Sequence, residues 1–145
     1  MTAALPVYGK QYIRFMESAL VPDALQLDAF VLVAINAAVP TEPPTLELAV
    51  AAGEVMGVLQ QRFNLATSGF ATDLNRQASV ATSGLLLIKA DPANMPAQNA
   101  ALKVDAAGRA SSAGGAGAVT VEGTTPIVRH QVQVGGVDMV LVAFN

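Results

Sequence analysis

The sequence predicts an all-β fold, a small sandwich or barrel of about seven to nine short strands. Two observations support this prediction. The chain of 145 residues contains a series of short apolar runs rich in β-branched residues, each bounded by glycine, proline or other turn residues. Its last two runs are joined by Gly135-Gly136, which suits the two-residue turn of a β-hairpin. A chain of this length has the size of one domain and can bury a core.

The amino-terminal segment, residues 1–22, is predicted to be an arm that precedes a single β-rich domain of residues 23–145. Its secondary structure is left open by the sequence. Apolar side chains recur in the first 20 residues at a spacing of four, which favours a short helix. However, Ile13 and Phe15 also alternate with Arg14, which favours a strand.

The arm carries three of the seven aromatic residues, Tyr8, Tyr12 and Phe15. Chain termini fray unless packing holds them in place. These aromatic side chains are therefore expected to pack either on the protein's own core or on a neighbouring subunit. In the second case they are interface residues.

The first half of the domain contains three predicted strands. Residues 30–35 are short, apolar and β-branched, as is typical of a buried strand. Residues 46–50 form a second strand, after a connector with three prolines at 39–44 that cannot donate ladder hydrogen bonds. A long strand follows at 78–90, and Gly84 within it indicates a bulge or a close backbone approach.

The second half begins with a short strand at residues 101–104 and a turn at 105–108. Residues 110–118 consist of glycine, alanine and serine and are predicted to form a flexible loop. Further strands are expected at 118–121 and 127–134.

The hairpin around Gly135-Gly136 can be predicted residue by residue. The expected pairs are Val134 with Val137, Val132 with Met139, His130 with Leu141, and Val128 with Ala143. The last strand is apolar on both faces towards its end, through Val140, Val142 and Phe144 on one of them. Such a strand is either central to the sheet or covered by another subunit, so these three residues are also interface candidates.

Composition favours a binding surface over nucleic-acid or membrane contact. Hydrophobic residues make up 52% of the chain and charged residues only 13%, about half the usual charged share. A large apolar surface usually marks a partner interface. The net charge is −3 and the eight basic residues are scattered, so no nucleic-acid partner is predicted. The apolar runs are too short for a membrane span of about 20 residues, so no membrane partner is predicted either.

The sequence contains few residues that could carry chemistry. It has no cysteine, and His130 is its one histidine. Without a nucleophile beside a base, a pair of metal-ligating histidines or a P-loop lysine, we predict no enzyme activity, no metal site and no cofactor.

Three segments carry a resemblance to a known family. They are Gly-Val-Leu-Gln at residues 57–60, Val-x-x-Ser-Gly-x-x-x-Ile at 80–88, and Val-Asp-Ala-Ala-Gly-Arg-Ala at 104–110. In this order they resemble the capsid cement, or head-decoration, proteins of tailed bacteriophages. The resemblance implies a β-rich protein, often a homotrimer, located on the outer surface of the virion capsid. There it would bridge subunits of the major capsid protein and stabilise the head, without catalytic residues.

Two other classes remain as alternatives. A carbohydrate-binding or adhesive module on a virion or cell surface would need an amide-lined or aromatic groove, for which Gln131 and Gln133 are the indication. Another non-enzymatic head or tail protein of the virion is the second alternative, and it would assemble as a ring.

Overall fold

The fold is all-β, as the sequence predicts. The computed structural model describes residues 11–22, 25–63 and 77–145, and all regular secondary structure in these ranges is strand. There are ten such strands: β1 Tyr12–Leu20, β2 Leu32–Ile35, β3 Leu46–Leu48, β4 Gly53–Glu54, β5 Gly57–Leu59, β6 Gln77–Lys89, β7 Lys103–Val104, β8 Gly117–Thr120, β9 Ile127–Val134 and β10 Val137–Phe144. The number of strands exceeds the expected seven to nine because it includes β4 and β7, which are only two residues long.

Strand β6 is the centre of the main sheet, whose order is β3-β2-β5-β6-β10-β9 with β1 also paired to β6. One side of β6 pairs with β1. On the other side β5 pairs with its first half and β10 with its second half. The segment that the sequence left open between helix and strand is thus a strand over Tyr12–Leu20, and it belongs to the same sheet as the predicted domain.

Part of the main sheet closes on itself. A single parallel bridge joins Leu20 of β1 to Thr45, next to the start of β3. The amide of Leu20 also donates to the carbonyl of Pro44 at 2.8 Å. The ring β1-β6-β5-β2-β3 is filled by one apolar cluster, which comprises Ala19, Val21, Leu27, Val31, Val33, Leu46, Leu59, Ala78 and Val80.

The small sheet, of order β4-β8-β7, shares a second apolar cluster with the main sheet. Val104 and Val119 of the small sheet pack in this cluster with Leu86, Val140 and Phe144 of the main sheet. The protein therefore has the two-layered packing of a small sandwich.

Strand β10 is buried on both faces, as its sequence predicts, and the reason is its central position between β6 and β9. Val140, Val142 and Phe144 are at most 2% exposed and lie in the cluster between the sheets. These three interface candidates are therefore core residues of this chain, because the small sheet covers the face that the sequence allowed a second subunit to cover.

The opposite face of β10 contributes Met139 and Leu141 to a third buried cluster, with Leu87 and Val132. Phe30, two residues before β2, and Val134 pack against this cluster. Both faces of the sheet are thus buried along the central part of β10.

The register of the last hairpin follows the prediction near the turn and departs from it further on. Val137, Met139 and Leu141 pair with Val134, Val132 and His130 as expected. Beyond that point Val128 pairs with Val142, not with Ala143, because Arg129 is an extra residue on β9. A bulge of one residue moves the following side chain to the other face. Val128 consequently packs between the sheets.

Polar contacts fix the turn at residues 105–108. The Asp105 carboxylate accepts hydrogen bonds from the amides of Ala107 and Arg109, both at 2.9 Å, and from Nε of Arg109 at 3.0 Å. Ala110 and Ser111, which follow, are buried. The prediction of a flexible loop at residues 110–118 is therefore wrong at its start, because Ala110 forms backbone bridges with Ala90 and Val104.

Candidate interaction surface

Strand β1 exposes the largest apolar side chains of the described residues. Tyr12 is 68% exposed, Phe15 62% and Met16 50%. Only Ile13 and Ala19 of this strand pack against buried clusters. Exposed apolar side chains that lie close together form a patch of the kind that often marks a contact surface.

Two compensating bulges shape this strand. Arg14 is an extra residue on β1, and Thr82 is an extra residue on β6 one step later. The register is therefore the same before and after the pair of bulges, while the alternation of side chains is interrupted between them. As a result the consecutive residues Arg14, Phe15, Met16 and Glu17 all line one groove.

The outer backbone edge of β1 is paired at one end. Among the described residues, Leu20 alone on this edge makes a backbone hydrogen bond, the one to Pro44. The chain before Pro44 is the proline-rich connector, in which Pro40, Pro43 and Pro44 lack an amide hydrogen. It cannot continue as a strand along β1, so no described residue pairs with the outer edge from Tyr12 to Ala19.

A groove of about 690 Å³ lies beside β1 on the side of the small sheet. Its walls come from β1, from β6, from the end of β2 and from the segments around residues 54–56 and 121–122. Val55 and Val121 are buried beneath it, while Ile35, at 51% exposed, stands at its border. The groove thus combines buried apolar residues with a strand whose outer edge pairs with no described strand.

The charged groups of the groove are three glutamates and one arginine: Glu17, Glu54, Glu122 and Arg14. Glu54 is held in place by the amide of Gly123, which donates to its carboxylate at 3.2 Å. Glu122 and Gly123 form a two-residue turn between Val121 and Thr124, with φ of 50° and 80°. These angles match a type I′ turn.

The interface candidates from the sequence divide into three groups. Tyr8 lies outside the described residues. Tyr12 and Phe15 lie together on the exposed strand, and Phe15 lines the groove. Val140, Val142 and Phe144 belong to the core, as described above. Sequence reasoning missed Ile35 and Glu122, because each is brought to the groove from a separate element and carries no local signal.

The described residues offer no alternative site with recognisable chemistry. No group of three or more histidine, aspartate or glutamate side chains among them is arranged to hold a metal ion. His130 is half-buried opposite Leu141 in the last hairpin. Within the same ranges, no helix has the length and apolar character needed to cross a bilayer. No protein-family model matches the chain, and no curated protein matches its sequence.

Proposed function

We propose that this chain is a capsid decoration protein that binds the outer surface of a bacteriophage head and bridges its major capsid protein subunits. The observation that carries the proposal is the exposed apolar surface of β1, formed by Tyr12, Phe15 and Met16. The three segments that resemble cement proteins support it. They fall on β5, β6 and the turn after β7, which are parts of the packed domain and not of the exposed surface.

The proposed role requires binding and no chemistry, so the protein is not an enzyme under this proposal and needs no cofactor. A clamp stabilises an assembly by burying area across the seam between two subunits. Aromatic side chains dominate the energy of many such interfaces. A homotrimer would engage three capsid sites together, so modest contacts at each site would give persistent attachment.

The first test is the mass of the protein in solution, alone and after mixing with undecorated phage capsids, by analytical ultracentrifugation. A trimer that sediments with the capsids is the expected result. A monomer that stays in the supernatant at saturating protein concentration would remove the proposal.

The surface itself is tested with the double variant Tyr12→Ser and Phe15→Ser. Both side chains are exposed, so the variant should fold, and its capsid occupancy should fall at least tenfold. The matched control is Val50→Ser with Val137→Ser, which removes exposed apolar side chains elsewhere, 50% and 42% exposed. Equal occupancy for the two double variants would show that β1 is not the contact surface.

The geometry gives no support to an amide-lined carbohydrate site at Gln131 and Gln133. The amide nitrogen of Gln131 donates to the carbonyl of Pro96 at 2.8 Å, and that of Gln133 donates to Asp138 at 2.9 Å. The two amides that suggested a sugar site are thus engaged within the chain.

A further inference from the structure

We propose that the groove along β1 binds an extended segment of a partner protein that carries both apolar and basic side chains on its groove-facing side. The inference uses the surface assigned above and rests on the proposed function only for the identity of the natural partner, a capsid subunit. It adds the shape and charge of the segment that is recognised.

The backbone of β1 sets the shape of the partner. From Tyr12 to Ala19 its outer edge pairs with no other described strand, and an unpaired strand edge binds readily to a strand from another chain. At about 3.3 Å per residue, this edge accommodates a strand of roughly eight residues. The bridge between Leu20 and Thr45 closes one end of the edge, so the incoming strand ends there.

The apolar surface of the groove indicates that the partner segment carries apolar side chains. Phe15, Met16 and Ile35 are half or more exposed along it, and Val55 lies buried beneath them. Side chains of an added strand point alternately towards and away from such a surface. The partner side chains that point into the groove would therefore meet this apolar surface and also the glutamates that line the same groove.

The carboxylates of the groove indicate which charged side chains the partner segment carries. The side chains that line the groove include three glutamates and one arginine, which leaves an excess of negative charge. The ion pairs of the described residues use Asp28, Asp91 and Asp105, so Glu17 and Glu122 have no cationic partner within this part of the chain. Lysine or arginine side chains on the incoming segment would supply that partner.

The same charges argue against other occupants. A nucleic acid or an anionic surface would be repelled by the excess of carboxylates. A second copy facing the groove with its own groove would double that excess. A basic protein segment is the occupant that fits both the open edge and the charge.

The probe is a fluorescein-labelled synthetic peptide of about eight residues, the length of the edge from Tyr12 to Ala19, in which pairs of lysines alternate with pairs of valines so that each face of the strand carries both. Binding to the whole protein is followed by fluorescence anisotropy at low and high salt. A peptide with glutamate in place of lysine controls for charge. A lysine-valine peptide with a central proline controls for strand pairing, because proline removes a backbone donor.

The expected result is salt-sensitive binding of the lysine-valine peptide, with both control peptides at least tenfold weaker. The double variant Glu17→Gln and Glu122→Gln should weaken binding roughly three- to tenfold, as expected for two exposed ion pairs. The control variant Glu42→Gln and Glu47→Gln removes two exposed carboxylates that do not line the groove and should bind as the wild type does. All four side chains are exposed, so loss of folding does not confuse the comparison.

Equal binding of the acidic peptide, equal binding of the proline peptide, or no effect of the groove variant would each overturn the inference. The peptide experiment uses no capsids, so it can fail independently of the proposed function. If the peptide binds but capsids do not, the groove recognises a basic strand and the proposal that the natural partner is a capsid is contradicted. Capsid binding without peptide binding would keep the decoration role and overturn the recognition of a basic strand.

Discussion

Gly84 lies so close to Tyr12 that a methyl group on the glycine α-carbon would overlap the tyrosine carbonyl oxygen. Gly84 pairs with Ile13 on one side and with Phe144 on the other. It is thus the point at which β1, β6 and β10 meet. Its φ of 125° lies in a region that residues with a side chain rarely adopt.

The first prediction is that Gly84→Ala lowers the free energy of unfolding by about 2–4 kcal/mol. The overlap between the added methyl group and the Tyr12 carbonyl oxygen adds to the backbone strain. Chemical denaturation measures this change. Gly53→Ala is the matched control, since Gly53 has a φ of 143° but nothing within 4 Å of the added methyl group. Gly53→Ala should lower the free energy of unfolding by about 1–2 kcal/mol, through backbone strain alone. Equal losses for the two variants would contradict the close approach of β1.

The second prediction separates core residues from surface residues among the interface candidates. Phe144→Ala should lower the free energy of unfolding of the isolated protein by about 3–5 kcal/mol, because it leaves a cavity between the sheets. Phe15→Ala should change it by less than about 0.5 kcal/mol, because Phe15 is exposed. Urea titrations of both variants make the comparison. A stable Phe144→Ala variant would return this residue to the list of interface candidates.

The third prediction concerns the turn at Asp105. Asp105→Ala removes the acceptor of three hydrogen bonds and should cost about 1–3 kcal/mol of stability. Asp138→Ala, whose carboxylate accepts from Gln133, provides the comparison and should cost less. Thermal or chemical unfolding of the two variants checks the order, which would be reversed if the turn were not held by the carboxylate.

The fourth prediction is a pH dependence from Asp91. The side-chain hydrogen bond from Asn94 is the main cause that lowers the pKa of this carboxyl; burial opposes it, and the Ala93 amide, Arg109 and Ser111 lower it further. A group with a lowered pKa in the folded state stabilises the fold while it is ionised. This contribution is complete above the unfolded-state pKa of about 4 and is lost as the pH falls through the lower folded-state value.

The free energy of unfolding should be measured from neutral pH to below pH ~4. It should fall less over this range for Asp91→Asn than for the wild type. Glu47→Gln matches the removal of one negative charge at an exposed position. An unchanged acid dependence in Asp91→Asn would show that the network around Asp91 does not contribute.

The sequence predicted much of the fold because the signals were local. The strand at residues 78–90 and its glycine were both visible, and they correspond to β6 and the close approach at Gly84. The hairpin register was correct up to the bulge at Arg129, which has no signature of its own in the sequence. The spacing of Tyr12, Met16 and Leu20 imitates a helix, and only pairing with β6 decides for a strand.

The candidate surface was predicted only in part. The aromatic residues of β1 stand out in the sequence, but an apolar strand such as β10 has the same pattern whether its own chain or another subunit covers it. The groove depends on three-dimensional proximity: Ile35, Glu54 and Glu122 come from separate parts of the chain. Nothing in their local sequence indicates that they meet.

The position of β6 has a consequence for how the protein is made. Among the described strands, its partners β1 and β5 precede it in the chain, and its partner β10 is the last to be synthesised. Until β10 is synthesised, the apolar second half of β6 lacks its partner on one side. Pairing between such distant segments is slow and leaves time for chains to associate wrongly. We therefore expect the yield of native protein to depend on slow synthesis or chaperone protection, even though the finished fold is closely packed.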